Sequence, residues 1–117
     1  MRRPELEALR RSIARFAKER DWDQFHTPKN LAMALSVEAA EIVELFQWLT
    51  PEQSAKLSKR DREALADELA DMFVYLLRLA SRFDIDLFSA ARSKMKKNAR
   101  KYPVAKSRGI AKKYTEL

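Results

Sequence analysis

The chain has 117 residues and a formal net charge of +7, and its hydrophobic residues (46%) and charged residues (35%) are those of one globular domain. It contains no cysteine and one histidine, which excludes disulfide scaffolds, thiolate catalysis and metal sites built from Cys or several His residues. Its single glycine excludes Gly-rich phosphate loops and is untypical of sheet-rich domains with tight turns. Helix-forming residues dominate, so we predict an all-α fold.

The first predicted helix covers residues 4–20. Its apolar positions recur at spacings of three and four, at Leu6, Leu9, Ile13 and Phe16. The next segment, residues 21–26 with the sequence DWDQFH, interrupts this pattern and is called the connector below. We expect a short, aromatic-rich link there.

The second predicted helix begins at Thr27 and Pro28, an N-cap followed by proline, and runs to about Leu49. Ser58 and Asp61 resemble a capping box that opens a third helix, which runs to about Phe83. Either Asp84 or Asp86 caps a fourth helix, which ends near Tyr102 and Pro103. Four helices with short connections predict an antiparallel four-helix bundle.

The charge is distributed unevenly, because residues 87–117 hold ten Lys/Arg and one Glu while residues 1–86 are slightly acidic. We predict a helical domain over residues 1–103 and a basic tail over residues 104–117. The tail is either an electrostatic guide for a polyanion or a solvated, partly disordered segment. No apolar run is long enough to span a membrane and no signal peptide is recognisable, so we expect a cytoplasmic protein without a membrane partner.

Carboxylates occur inside helices that otherwise read as buried. The second helix is apolar on all sides, yet it carries Glu38 and Glu41 three residues apart. The third carries Glu68 and Asp71 at the same spacing, directly before the apolar run MFVYLL. Residues three apart share a helix face, so four carboxylates would surround one small volume if the two helices pack together.

Four carboxylates at close range repel one another unless a cation is bound. Oxygen ligands without His or Cys select hard cations, which predicts Mg²⁺ with Mn²⁺ as a substitute. The alternative is that these acids are solvated or pair with Lys29, Arg78 or Arg82 in a purely structural bundle. Glu44 and Asp67 lie off the two acidic faces and are interpreted as ordinary surface residues.

The chain resembles the MazG-like all-α nucleoside triphosphate pyrophosphohydrolases, specifically the dCTP pyrophosphatase branch. The family pattern Glu-Glu-x-x-Glu followed by Glu-x-x-Asp is met by Glu38, Glu41, Glu68 and Asp71, with Val37 in place of the first acid, as in that branch. Four further segments are similar to the branch: RDWDQFHTPKNLAMAL from Arg20, ELFQW from Glu44, SKMKKNARKYP from Ser93 and KKYTEL from Lys112.

The resemblance implies a role for each matching residue. Glu38, Glu41, Glu68 and Asp71 would be the Mg²⁺ ligands and the catalytic acids. The segments that hold base and sugar would be Trp22, Asp23, Gln24, Phe25 and His26, together with Trp48. Tyr75 matches a substrate-contacting tyrosine, and Lys94 and Asn98 match positions that approach the phosphates. Ile13 stands where the branch can carry a histidine, which affects base preference more than catalysis.

The activity implied is Mg²⁺-dependent hydrolysis of a deoxynucleoside triphosphate, with dCTP or a modified dCTP preferred, to the monophosphate and pyrophosphate. The resemblance also implies a homo-oligomer, either a dimer or a tetramer. The competing hypothesis is a non-enzymatic helical module that binds nucleic acid through the basic C-terminal region. We favour the enzyme and do not expect nucleic acid as a partner.

Overall fold

The structure, a computed structural model, describes residues 3–117. Six α-helices occur in this range: α1 (Pro4–Glu19), α2 (Pro28–Phe46), α3 (Pro51–Ser54), α4 (Lys59–Arg82), α5 (Leu87–Lys101) and α6 (Val104–Ser107), followed by a 3₁₀ turn at Tyr114–Glu116. No strand occurs between residues 3 and 117, so the all-α prediction is confirmed. The four long helices are the four that the sequence predicts, and the largest difference is that α2 ends at Phe46 rather than near Leu49.

Side-chain caps fix where the helices begin. The Thr27 hydroxyl accepts a hydrogen bond from the backbone N–H of Asn30 at 3.2 Å, and the Ser58 hydroxyl accepts one from Asp61 at 3.1 Å. Asp86 caps α5, since its carboxylate accepts a bond from the Ser89 N–H at 3.2 Å. Each cap satisfies one N–H that the helix itself cannot pair.

Three short elements were not predicted from the sequence. Helix α3 opens with a full capping box, in which Thr50 and Gln53 exchange side-chain and backbone hydrogen bonds of 3.2 and 2.9 Å. The residues Thr50 to Gln53, TPEQ, spell this motif. The other two elements, α6 and the 3₁₀ turn, lie in residues 104–117, the segment for which the sequence left disorder open.

The described chain forms two compact units, residues 3–84 and residues 85–117. In the first unit, α2 and α1 both pack against α4. In the second, the end of the chain folds back on α5: the Tyr114 N–H donates to the Tyr102 hydroxyl at 3.2 Å, and the two rings meet edge to face. The predicted division at residue 103 stays a prediction.

The apolar helices are less buried than we expected. The buried hydrophobic residues of the described chain are Ala17, Leu31, Leu77 and Ala80. In α2 only Leu31 is buried, whereas Val37 is 55% exposed and Val43 is 59% exposed. The expectation that α2 is largely buried is therefore wrong within the chain, because much of its apolar surface faces away from α4.

The connector begins with a left-handed residue that ends α1. Asp21 has φ 54°, and the N–H groups of Asp21 and Trp22 donate to the carbonyls of Lys18 and Ala17 at 3.1 and 2.9 Å. This is the hydrogen-bond pattern of a Schellman motif. The ring of Trp22 then meets the ring of Phe16 edge-on, 5.6 Å between centroids. The end of α1 thus fixes where Trp22 stands.

Replacement of Asp21 tests this helix end. Asp21→Val should lower the free energy of unfolding by about 1–2 kcal/mol, because a β-branched residue is strained at positive φ. Asp21→Gly should stay within about 1 kcal/mol of the parent chain, since glycine adopts this conformation freely. Urea unfolding of both variants is the measurement, and equal losses for glycine and valine would contradict the assignment.

Candidate metal and nucleotide site

Three of the four predicted acids meet where α2 packs against α4. Carboxylate oxygens of Glu38, Glu41 and Glu68 all lie within 4.8 Å of one another. All three side chains are half-buried, and Oε2 of both Glu38 and Glu68 is buried without a hydrogen-bond partner in the described chain. Below, Glu38, Glu41 and Glu68 are called the acidic triad.

Close neighbours within the acidic triad raise the pKa values of Glu41 and Glu68. A side-chain hydrogen bond with Glu68, and then the charge of Glu68, raise the pKa of Glu41. The pKa of Glu68 is raised in turn, first by a side-chain hydrogen bond with Glu38. Carboxylates this close resist simultaneous ionisation unless positive charge is supplied.

The acidic triad fits a hard divalent cation. Its donors are all oxygen, and two of its buried oxygens lack a hydrogen-bond partner within residues 3–117, although buried polar atoms are normally paired. A cation would satisfy both oxygens and relieve the repulsion among the three acids. The assignment of these three residues as cation ligands stays a prediction.

Asp71 does not belong to the acidic triad, although it lies one helical turn beyond Glu68. It is exposed and lies on the wall of an adjoining cavity of about 190 Å³, called the aromatic cavity below. The wall comprises Ile13, Phe16, Ala17, Trp22, His26, Asp71, Val74, Tyr75 and Arg78. This volume is below the roughly 300–1,000 Å³ of sites that enclose whole drug-sized ligands, so it suits one ring system.

Tyr75 links the aromatic cavity to the acidic triad. Burial raises the pKa of Tyr75, and the charges of Glu38 and Asp71 raise it further. The phenol therefore stays protonated at neutral pH and can donate a hydrogen bond. Tyr75 and Asp71 line the same cavity, as their i, i+4 spacing on α4 predicts.

The predicted substrate-binding residues of the connector divide into two groups. Trp22 and His26 line the aromatic cavity. The other three do not: Asp23 pairs with Arg78, the Gln24 side chain donates to the Asp21 carbonyl at 3.1 Å, and Phe25 is 58% exposed.

The remaining predicted substrate residues lie on other elements. Trp48 follows the end of α2 and is 86% exposed, so it does not pack into a core within residues 3–117. Lys94 is exposed on α5, and Asn98, one turn later, is half-buried.

Two arginines of α4 were assigned no site role from the sequence. The sequence offers Arg78 and Arg82 as ion-pair partners for the acids, but both bind the connector. Arg78 pairs with Asp23, and Arg82 Nε donates to the His26 carbonyl at 3.0 Å. Only packing reveals such contacts, because the partners lie more than 50 residues apart in the sequence.

No helix within residues 3–117 is both long and apolar enough to cross a membrane. This agrees with the sequence, which contains no extended apolar run.

Comparison with known proteins shows the family. The profile of the MazG-like family matches residues 33–117. The chain is 51% identical to bovine (Bos taurus) dCTP pyrophosphatase 1 over 116 residues, which cover 97% of this chain and 69% of that protein. It is 49% identical to the human (Homo sapiens) dCTP pyrophosphatase 1 over a match that covers 97% of this chain and 68% of that protein.

A solved structure agrees with these relatives. The crystal structure of a pyrophosphatase from Archaeoglobus fulgidus superposes with a TM-score of 0.82 at 36% identity, covering 88% of this chain and 96% of that one. The profile match, the two mammalian relatives and this structure agree, and they show that the chain belongs to the MazG-like family.

Proposed function

We propose that this protein is a nucleotide pyrophosphohydrolase that converts dCTP, or a modified dCTP, to the monophosphate and pyrophosphate with Mg²⁺. The observation that carries the proposal is the meeting of Glu38, Glu41 and Glu68 beside a cavity lined by Trp22 and Tyr75. The names of the mammalian relatives, dCTP pyrophosphatase 1, support the substrate.

The acidic triad would hold Mg²⁺, with Mn²⁺ as a possible substitute and Asp71 completing the set. When bound, the cation neutralises phosphate oxygens and lowers the pKa of water to supply a nucleophile. The unpartnered oxygens of Glu38 and Glu68 are the donors best placed to be ligands.

The chain itself would orient the triphosphate and accept a proton. Water would attack a phosphorus of the α–β linkage, the bridging P–O bond would break, and the monophosphate and pyrophosphate would be released. One carboxylate of the acidic triad would take the proton of that water, because the three carboxylates lie together at the site that would hold the cation.

The aromatic cavity would hold the base. The exposed face of Trp22 and the wall formed by Ile13 and Val74 suit a flat ring. Tyr75 offers a hydroxyl to the sugar or the phosphates, since its pKa is raised and it stays protonated.

Product analysis tests the proposed function. The purified protein with Mg²⁺ should convert dCTP to dCMP and pyrophosphate, without free phosphate as the first product. Chelation of the metal should stop the reaction, and Mn²⁺ should restore part of it. Absence of turnover with every deoxynucleoside triphosphate would contradict the proposal.

Lys94 distinguishes the enzyme from the competing nucleic-acid module. If it contacts a phosphate, Lys94→Ala should lower kcat/KM at least about tenfold, the loss of one hydrogen bond to a charged group. The matched control neutralises the exposed Lys112 and Lys113 together and should change kcat/KM less than about threefold. Duplex DNA should not compete with dCTP at physiological salt. Nanomolar DNA binding that depends on the tail pair would favour the module instead.

We propose that the exposed apolar face of α4 joins copies of the chain. Leu69, Phe73 and Leu76 recur at i, i+4 and i+7 and are 52, 42 and 40% exposed. Sedimentation should give a dimer or tetramer of the 13.7 kDa chain, and Phe73→Glu should reduce that mass. A monomeric parent chain would contradict this assembly.

A further inference from the structure

The connector is tied to α4 by hydrogen bonds that span the sequence. Arg78 Nε donates to His26 Nδ1 at 3.3 Å, and Arg78 Nη2 pairs with the carboxylate of Asp23. Arg82 donates to the backbone carbonyls of His26 and Asp23 at 3.0 and 3.3 Å. The bonds from Arg82 to the connector thus go to main-chain carbonyls, whereas Arg78 contacts the side chains of Asp23 and His26.

Arg78 is the more deeply placed partner. Its side chain is 10% exposed, while that of Asp23 is 50% exposed. A nearly buried guanidinium needs its partners, because an unpaired charge there is costly. The planar fork of arginine can serve the Asp23 carboxylate and the His26 ring together, which the single ammonium of lysine cannot do. Arg78 also lines the aromatic cavity with Trp22 and His26.

The bond from Arg78 selects one form of the His26 ring. Nδ1 can accept this bond only if it carries no proton, so the imidazole is neutral and its proton lies on Nε2. Burial lowers the pKa of His26, the charges of Arg78 and Arg82 lower it further, and Asp23 opposes them. At neutral pH the ring therefore carries an N–H donor at Nε2, and His26 lines the aromatic cavity.

We infer that Arg78 is a positioning residue for nucleotide binding. It fixes the connector through Asp23 and sets His26 as a neutral ring with a donor at Nε2 on the wall that Trp22 shares. An acceptor atom of a bound base would accept a hydrogen bond from the N–H at Nε2. The inference rests on the proposed function for the identity of the ligand, but the state of His26 exists without any ligand.

The test uses the fact that the chain has one histidine. In the nucleotide-free and metal-free protein at neutral pH, ¹⁵N NMR of His26 should show an unprotonated Nδ1 and a protonated Nε2. Its pKa should lie below the usual value for histidine. Arg78→Met should raise that pKa and mix the two tautomers. The matched control, Arg10→Met, removes an arginine that pairs with Glu7 instead and should leave His26 unchanged.

Steady-state kinetics gives the second readout. Arg78→Met should raise KM for dCTP at least about tenfold and change kcat less than about threefold, because the acidic triad is untouched. The KM of Arg78→Lys for dCTP should lie between that of Arg78→Met and that of the parent chain. If Arg78→Met does not fold, Arg78→Lys and Asp23→Asn provide the same comparison.

The outcomes separate the two proposals. If the parent protein hydrolyses no triphosphate, the proposed function fails, yet NMR still decides the role of Arg78. If the parent hydrolyses dCTP while Arg78→Met leaves KM and the His26 signals unchanged, the positioning role is overturned. An equal loss of kcat in Arg78→Met and Arg10→Met would also overturn it, because that result indicates general destabilisation.

Discussion

Glu68→Gln should abolish dCTP hydrolysis, with kcat at least about a hundredfold lower, because a metal site supplies several kcal/mol of transition-state stabilisation. The fold should persist. One oxygen of Glu68 is buried without a hydrogen-bond partner in the described part of the chain, and its neighbours are acids, so removing its charge relieves repulsion. The metal-free variant should therefore unfold at the same temperature as the parent or higher. Glu38→Gln and Asp71→Asn should lose activity in the same way.

The matched control is Asp67→Asn, an exposed acid directly before Glu68 on α4. It should retain parental turnover, which distinguishes a local role from a general charge effect. Saturating Mg²⁺ should raise the melting temperature of the parent and of Asp67→Asn, since a ligand that binds the folded state stabilises it by mass action. Glu68→Gln should lose that rise. Near-parental turnover of Glu68→Gln at saturating Mg²⁺ would disprove the metal assignment.

Trp22→Ala and Trp48→Ala should each weaken nucleotide binding by about 1–3 kcal/mol, the usual contribution of one base–aromatic stack. This corresponds to about 5- to 150-fold in Kd. Calorimetric titration of the Mg²⁺-loaded protein with a non-hydrolysable dCTP analogue measures the change, and Trp48→Phe, which keeps an aromatic face, is the control for the second site.

Stability separates the two tryptophans. The ring centroids of Trp22 and Phe16 are 5.6 Å apart. Trp22→Ala should therefore lower the free energy of unfolding by about 0.5–1.5 kcal/mol for the lost aromatic pair, and further for the apolar area that the ring buries. Trp48 is 86% exposed, so its loss should leave the stability of the isolated chain nearly unchanged. If both variants bind the analogue as the parent does, neither ring belongs to the nucleotide site.

Local sequence patterns predicted the parts of the molecule that local chemistry controls. Thr27, Ser58 and Asp86 cap helices because a cap needs only a side chain and an N–H three residues away. The i, i+3 spacing likewise placed Glu38 and Glu41 on one face of α2. The meeting with Glu68 followed from the hypothesis that two helices with matching acidic faces pack together.

The parts that the sequence did not predict depend on which face of a helix meets which neighbour. Asp71 is exposed on the cavity wall although its spacing from Glu68 matches that of the α2 pair, because spacing does not determine how far a side chain reaches across two helices. The tie from Arg78 to His26 joins residues 52 apart, so no periodicity contains it. The exposure of Val37 and Val43 was missed because an apolar pattern shows that a face avoids water, but not what covers it.

The acidic triad is divided between two helices, so the affinity for a cation depends on how well these helices pack together. Glu38 and Glu41 belong to α2 and Glu68 to α4, so a cation that binds all three acts as a cross-link between segments far apart in the chain. Linkage is reciprocal: if cation binding stabilises the packing of α2 on α4, then a change that loosens this packing weakens cation binding. A cavity made at the buried Leu31 of α2, away from every ligand, should therefore raise the Mg²⁺ concentration needed for half-maximal activity. The variant would then show weaker Mg²⁺ binding although the change lies in the hydrophobic core and not at a ligand.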